Sequence, residues 1–364
     1  MKVQKIRLPN VVQPHWIVIG EDYLPVEPIG QYLLYLHNIK KSPLTIRTYA
    51  HHLKIYWEYL EETKQDWKKI SIDTIASFIA KISGLVHENV IHMTLDQSKR
   101  TERTVNQIVI AVSGFYRYQM EVKNVDEINF YYWKKPFHTE NSFKPLLHHL
   151  SKSKNQRHLI FKLKEKESLC KVVQPEIIKE MVASCKRLRD KLLICMLYET
   201  GCRIGQILGL RHEDIETFNN EIKIVPRNDN INYARAKSQD IHIIHVSTEL
   251  MQLYYRYYMQ EYGEVDSDYV FVNLWEGSIG NPISYSSVST LFQRLSKKLG
   301  TNITPHMLRH THATELIQSG WSMAHVQQRL GHRNIQTTID TYVHLSNADL
   351  KAKYQAYLIE RGSN

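Results

Sequence analysis

Apolar residues recur every three to four positions along the first third of this chain, which is the spacing of one buried face on an α-helix. Four such stripes are present, and the second starts at Ser42, a residue that can cap a helix N-terminus. The predicted helices cover residues 25–39, 42–60, 72–82 and 104–120. The pattern therefore predicts a helical module, which we bound at residues 25–133.

The second part of the chain mixes helical and β-type patterns. An amphipathic helix is predicted to start at Pro175, and an apolar helix is predicted to end at Gly201. Residues 222–225 and 241–246 are rich in β-branched side chains and are predicted to pair as antiparallel strands. We therefore expect a mainly α chain with a small antiparallel β-sheet in a second domain, residues 172–364.

Two further stretches lack a helical period. Residues 1–24 are punctuated by prolines, so we expect an irregular N-terminal segment. Residues 134–171 hold ten Lys or Arg against three Glu, an excess of seven positive charges, and are predicted to be a basic linker. A basic linker can follow a phosphate backbone as two domains close on a duplex, or it can be a solvated spacer, and the sequence leaves both open.

The charge of the whole chain points to a polyanionic partner. The 364 residues carry a net charge of +10, and a basic chain without a long apolar run favours nucleic acid over membrane. The four cysteines show no C-x-x-C spacing, and the N-terminus has no signal-peptide core, so we expect a cytoplasmic, nucleoid-associated protein with reduced thiols. Six basic residues of the helical module are candidates for contacts with DNA phosphates: Lys40, Lys41, Arg47, Lys54, Arg100 and Arg103.

Residues 304–342 hold the densest candidate chemistry. Thr304 can cap a helix that places His306 and Arg309 on one face near its N-terminus, where an anion is stabilised. A second predicted helix ends before His332, and Tyr342 follows ten residues later. The stretch therefore offers an arginine and two histidines to hold an anion, together with a phenol that can act as a nucleophile or a proton donor.

Each of these residues also has an ordinary structural interpretation. The chain has 22 tyrosines and 19 histidines, so any one of them is more often a packing or surface residue. His306, His310 and His312 do not share one helical face, and no cysteine is near them, so we expect no metal site here. The order and spacing of the residues favour the functional interpretation.

Five short motifs in this chain together resemble the tyrosine recombinases, the phage integrase family. They are Y-E-T-G-C-R-I-G-Q-I-L-G-L, A-K-S, H-M-L-R-H-T-H-A-T, L-G-H and T-Y. The resemblance covers the second domain, and the helical module is similar to the family's core-binding domain. It implies a two-domain tyrosine-recombinase architecture and site-specific cleavage and rejoining of DNA through a covalent 3′-phosphotyrosyl intermediate. Within the family the chain is most similar to transposases of transposons that encode paired tyrosine recombinases, which implies integration and excision of such an element.

The resemblance carries the family's catalytic set onto six residues. They are Arg203, Lys237, His306, Arg309, His332 and Tyr342. The two guanidinium groups would stabilise the crowded phosphorus of the transition state, while the phenol of Tyr342 attacks with His306 as its base. Lys237 would protonate the leaving 5′-oxygen, and His332 would bond the phosphate. The phosphotyrosyl bond conserves the energy of the broken ester, so no ATP, metal ion or other cofactor is expected.

Two positions depart from the family pattern. Gln206 stands where many members have an acidic residue that supports the first arginine. The segment between the two strands is long and offers Arg235 beside Lys237.

The resemblance also implies partners, and it leaves other functions open. We expect double-stranded DNA, a homotetramer on paired sites, and other transposon-encoded recombinases as partners. The apolar face formed by Leu350, Tyr354, Tyr357 and Leu358 is expected to dock in a neighbouring protomer, although folding back on its own domain is the ordinary alternative. A phage-type integrase, a chromosome-dimer resolvase, a type IB topoisomerase, an inactive DNA-binding relative and a metal-dependent phosphoesterase are the competing functions.

Overall fold

The computed structural model describes residues 1–7, 13–84, 100–126, 130–134, 156–165, 172–235, 240–275, 277–331, 354–355 and 358, with the backbone alone for 131–134 and 156–158. The chain divides into two compact units, Met1–Glu167 and Ser168–Asn364. Among the described residues, no helix has the length and apolar character needed to span a bilayer.

Four helices lie in the described part of the first unit. They are α1 (Glu27–Asn38), α2 (Pro43–Glu62), α3 (Ile72–Ile82) and α4 (Glu102–Glu121). The side chain of Ser42 accepts a hydrogen bond from the backbone N–H of Thr45, and Ser71 caps α3 in the same way through Thr74. These local caps explain why the predicted starts of α2 and α3 agree closely with the observed ones.

Helices α2 and α4 form the centre of this unit and run in the same direction. His52 on α2 forms a hydrogen bond with the backbone of Gln107 on α4. Four residues further along α2, the hydroxyl of Tyr56 lies 2.9 Å from that of Tyr116 on α4. Tyr116 in turn donates a hydrogen bond of 3.0 Å to the carbonyl of Trp67. The two N-terminal ends therefore lie at the same end of the unit.

The N-terminal segment, predicted to be irregular, contains a β-hairpin. Strand β1 (Lys2–Ile6) pairs antiparallel with β2 (His15–Ile19), and the pair packs on α1 and α2. Trp16 and Val18 point into the core of the unit, and this burial stabilises a hairpin whose prolines lie outside the strands.

Part of the predicted basic linker also belongs to the first unit. Strand β3 (Tyr131–Lys134) pairs antiparallel with β4 (Gln156–Leu159), and Leu159, Phe161 and Leu163 pack against the unit's apolar core. The side-chain amide of Asn106 donates to the carbonyl of Leu163 and accepts from its N–H. Residues 156–165 are therefore not a free spacer, because their apolar side chains alternate with lysines as in a half-buried strand.

The described residues of the second unit form helices and a three-stranded sheet. Its helices are α5 (Pro175–Ser184), α6 (Leu188–Thr200), α7 (Ile204–Ile207), α8 (Thr248–Tyr257, continued by a π-turn over Tyr258–Tyr262), α9 (Tyr285–Leu299), α10 (Pro305–Gln318) and α11 (Met323–Leu330). The sheet has the order β5 (Ile215–Glu216), β6 (Glu221–Ile224), β7 (His242–His245), all antiparallel. The prediction of a mainly helical chain with a small antiparallel sheet is confirmed.

Candidate active site

Arg309 is a buried cation held by two backbone carbonyls. It lies on α10, one turn after His306, and only 4% of it is exposed. Its Nη1 donates to the carbonyl of Gly201 at 2.7 Å, and its Nη2 donates to the carbonyl of Leu330 at 3.0 Å. Two hydrogen bonds from the same guanidinium group fix its plane. The group is therefore held in place although the arginine side chain is long and flexible.

The two carbonyls lie at the ends of two helices that are each followed by a glycine. Gly201 follows α6 and Gly331 follows α11, and both have a φ of 62°, in the left-handed region. A Cβ on Gly201 would stand 2.6 Å from Cδ2 of His312 and 2.8 Å from Cδ2 of Leu330. Only a residue without a side chain permits this approach.

Arg203 lies two residues beyond Gly201, at the N-cap of α7. Its backbone N–H donates to Oε1 of Gln206 at 2.8 Å, so the glutamine supports the arginine's loop through its amide. Gln206 is buried, and its Nε2 has no hydrogen-bond partner within the described part of the chain. The support that Gln206 gives to the backbone of Arg203 is thus uncharged.

The chain that leads towards Lys237 passes close to Arg203. A Cβ on Gly205 would lie 2.7 Å from the carbonyl of Arg235, so the absence of a side chain lets the backbone cross α7 at this point. Lys237 itself lies outside the described residues, as do His332 and Tyr342. The structure thus places Arg203, His306 and Arg309 of the predicted set.

A third arginine, Arg329, joins three elements of the second unit. Arg329 donates from Nε to Nε2 of His312 at 3.0 Å, and from Nη2 to the carbonyls of Glu199 and His245 at 3.1 Å each. Burial, followed by the charges of Arg329 and Arg309, lowers the pKa of His312 to about 3. His312 is therefore neutral at neutral pH and serves as a hydrogen-bond acceptor.

Two more histidines share this cationic environment. Burial lowers the pKa of His310, and the neighbouring His306 and Arg309 lower it further. Burial also lowers the pKa of His242 on β7, as do the positive charges of Arg309 and Arg203. Both arginines therefore lie near enough to His242 to lower its pKa, and two positive charges in this region suit the binding of a phosphate.

Sequence reasoning missed His242, His312 and Arg329 as parts of this site. His312 was available as a member of the H-M-L-R-H-T-H-A-T motif, whereas no local signal marks the other two. Among the described residues there is no group of three or more His, Cys, Asp or Glu that could hold a metal ion.

The basic residues predicted to contact DNA lie in the first unit. Lys40 and Lys41 lie in the turn before α2, and Arg100 lies just before α4. Arg47 and Arg103 are exposed near the N-terminal ends of α2 and α4. Lys54 lies further along α2 and pairs with Glu58 at 3.0 Å. Because the two helices run in the same direction, most of these cations lie towards one end of the unit.

Two family models together match most of the chain. The Phage integrase family matches residues 167–349, and the Phage integrase, N-terminal SAM-like domain matches residues 29–123. The chain belongs to the phage integrase family, the tyrosine recombinases, and is an enzyme that cuts and rejoins DNA.

One relative is similar along almost its entire length. Transposase A from transposon Tn554 of Staphylococcus aureus is 39% identical over 359 residues, which cover 98% of each chain. Tyrosine recombinase XerA of Pyrococcus horikoshii is 27% identical over 338 residues, covering 92% of this chain and 96% of the relative.

Solved structures show the same fold. The XerH site-specific recombinase, bound to a palindromic difH substrate, superposes with a TM-score of 0.58 at 19% identity, covering 86% of this chain and 80% of that chain. The Tn1549 transposon integrase, in complex with circular intermediate DNA, has a TM-score of 0.56 at 15% identity, covering 90% of this chain and 99% of that chain. The predicted two-domain tyrosine-recombinase architecture is confirmed.

Proposed function

We propose that this protein is a transposase that integrates and excises a mobile element by cutting and rejoining double-stranded DNA at specific sites. The full-length similarity to transposase A of Tn554 favours this role over phage integration and chromosome-dimer resolution, because the XerA recombinase shares a smaller fraction of identical residues.

The fixed guanidinium of Arg309 is the observation that carries the catalytic part of this proposal. A phosphodiester repels nucleophiles because its nonbridging oxygens are negative, and charge on them grows as phosphorus becomes five-coordinate. Arg309, held by the carbonyls of Gly201 and Leu330, can stabilise that charge without reorganising. Arg203 lies on the neighbouring loop, and its charge, like that of Arg309, lowers the pKa of His242, which supports its assignment to the same site.

The remaining assignments follow the order of the motifs. The oxygen of Tyr342 forms a bond to phosphorus while the bond to the 5′-oxygen breaks, giving a 3′-phosphotyrosyl ester and a free 5′-hydroxyl. His306 takes the phenolic proton, Lys237 gives a proton to the leaving oxygen, and His332 bonds the phosphate. A 5′-hydroxyl from another strand then reverses the step, so the exchange of one ester for another requires no cofactor.

A suicide substrate tests this proposal. A nicked duplex carrying the element's end loses a short fragment after cleavage, so the covalent protein–DNA complex accumulates and is seen on a denaturing gel. Tyr342→Phe removes only the nucleophilic oxygen, and we expect site-specific binding to survive while the covalent complex disappears. Covalent product from the variant would show that another residue attacks.

Two controls separate the competing enzymes. Chelation with EDTA leaves the proposed reaction unchanged but stops a metal-dependent phosphoesterase. Exchange of strands between two labelled duplexes distinguishes a recombinase from a type IB topoisomerase, which returns each strand to its own partner. Failure to exchange strands, with cleavage intact, would favour the topoisomerase.

We further propose that the six basic residues of the first unit bind the phosphates of the duplex. Arg47→Ala and Arg103→Ala should each weaken binding to all sequences and reduce its salt dependence by about one unit of slope. Lys64→Ala is the matched control, because Lys64 is an exposed lysine just past the C-terminal end of α2. An equal loss in all three variants would assign the effect to net charge alone.

Assembly completes the proposal. Strand exchange joins two cut duplexes, so we propose a homotetramer on paired sites, working at the nucleoid with other recombinases of the same element. The apolar tail positions would link protomers. Of these, Tyr354 and Leu358 are exposed, while Leu350 and Tyr357 lie outside the described residues.

A further inference from the structure

His242 joins two parts of the active site that are distant in sequence. It is the first residue of β7, five positions after Lys237 in the chain. Its ring lies against Gly331, the residue that ends α11 and precedes His332. A Cβ on Gly331 would stand 3.1 Å from Cε1 and 3.3 Å from Nε2 of the ring. The Cε1–Nε2 edge of the imidazole thus occupies the space that a side chain at position 331 would need.

The orientation of this ring is fixed from its inner side. A hydrogen bond to the backbone of Asp240 raises the pKa of His242, so the ring donates to that carbonyl. Nε2 is buried and has no partner among the described residues, so the donor is Nδ1. The segment that leads into β7 therefore anchors the Nδ1 side of the ring and leaves its Cε1–Nε2 edge against Gly331.

The corner that the ring touches is the one that holds Arg309. The carbonyl of Leu330, immediately before Gly331, accepts the hydrogen bond from Nη2 of Arg309. The N–H of Gly331 donates to the carbonyls of Gln327 and Gln328, but Gly331 has a left-handed backbone and no side chain of its own to pack at this turn. The rigid ring packed against Gly331 adds a restraint to this corner from outside the helix.

The imidazole ring of His242 is uncharged in this cationic part of the site. Burial, with the charges of Arg309 and Arg203, lowers the pKa of His242 and outweighs the bond to Asp240. The ring is thus neutral at neutral pH, so it braces the corner without adding a third positive charge beside the two arginines.

We propose that His242 is a positioning residue of the active site, which braces the Leu330–Gly331 corner and thereby fixes the guanidinium of Arg309. The inference rests on the proposed function, because it assigns Arg309 to transition-state stabilisation. His242 does not itself contact the reacting atoms in this proposal. It acts on the rate of cleavage through the carbonyl of Leu330.

Two substitutions of the same residue separate bracing from general structural effects. His242→Asn keeps an amide N–H near the place of Nδ1, and so the bond to Asp240, but it removes the ring edge that touches Gly331. His242→Gln places its amide near the position of Nε2 and restores that contact. His245→Ala is the control on the same strand, because the side chain of His245 is exposed.

The measurements are the dissociation constant for DNA and the single-turnover rate of cleavage of bound DNA. We expect His242→Asn to slow cleavage by about 10- to 100-fold, as a small misplacement of a catalytic group does. Its dissociation constant and thermal melting point should stay near those of the wild type. His242→Gln should recover most of the rate, and His245→Ala should cleave normally.

Two results would overturn the inference. One is an asparagine variant that cleaves bound DNA as fast as the wild type. The other is a glutamine variant that stays as slow as the asparagine variant, because restored contact would then restore nothing. The proposed function fails separately: a wild-type protein that forms no covalent complex with DNA refutes it, whatever the His242 variants do.

Discussion

Replacing Gly201 with alanine perturbs the active site through one methyl group. The new Cβ would stand 2.6 Å from Cδ2 of His312 and 2.8 Å from Cδ2 of Leu330. No carbon approaches another so closely without a shift, and overpacking of this kind costs about 1–3 kcal/mol. The left-handed backbone, at a φ of 62°, adds roughly 1–2 kcal/mol for a residue with a Cβ. We therefore expect the free energy of unfolding to fall by about 2–5 kcal/mol.

The chain offers a matched control for the backbone part of this loss. Gly300 ends α9 in the same left-handed conformation, at a φ of 65°, but no atom lies within 4 Å of the place of its Cβ. Gly300→Ala should therefore lose only the backbone contribution of roughly 1–2 kcal/mol. The difference between the two variants measures the steric contact with His312 and Leu330.

The same substitution should slow catalysis, because the carbonyl of Gly201 holds Nη1 of Arg309. Room for the new methyl group requires a shift of His312 or Leu330, both of which lie at this corner, and a misplacement of a catalytic group approaching about 1 Å costs up to about 10²-fold in rate. Thermal melting reports the stability, and single-turnover cleavage of a suicide substrate reports the catalysis. If both glycine variants melt and cleave alike, the close approach of the helix ends does not control the site.

Four further outcomes are expected. Arg203→Ala should slow cleavage by about 10²- to 10³-fold while weakening DNA binding far less; equal losses would make this arginine an ordinary phosphate anchor. Lys237→Ala should regain cleavage on a substrate with a 5′-bridging sulfur, since a thiolate leaves without a proton, and continued inactivity would remove its role as an acid. Deletion from Asp349 onward should leave single-site binding intact but abolish the paired complex on native gels; a complex that still forms would mean that the tail packs on its own unit. The pKa of His312 is lowered from 6.5 to about 3 on folding, so the unfolded chain binds the extra proton and stability is lost as pH falls below 6.5, by up to about 1.4 kcal/mol per pH unit. His312→Gln keeps an acceptor for Arg329 but cannot titrate, so its melting point should fall less steeply between pH 6.5 and 4; parallel curves would contradict the assignment.

Two predictions from the sequence were wrong: the irregular N-terminal segment and the linker character of residues 156–165. Both show what local sequence patterns cannot predict. The N-terminal hairpin has strands of only five residues, and they are stable because Trp16 and Val18 find a surface on the helices of the same unit. In residues 156–165, apolar side chains alternate with lysines. The high positive charge of the stretch predicts a solvated linker, although the apolar side chains pack against the core of the first unit. In both cases the deciding contact is with residues far along the chain.

The sequence by itself determined the helices of the first unit and the pairing of β6 with β7. It also contained the motifs that carry Arg203, His306 and Arg309. Helical periodicity, capping serines and terminal glycines act over a few residues, so they can be recognised without knowledge of the rest of the fold.

Only the tertiary structure decided how Arg309 is held. Its two carbonyl partners lie 108 and 21 residues away in the chain, and no local signal marks Gly201 or Leu330 as acceptors. The contact of His242 with Gly331 likewise joins a strand to the end of a helix. Such positions depend on how whole elements pack, because a few tenths of an ångström in that packing determine where a guanidinium group points.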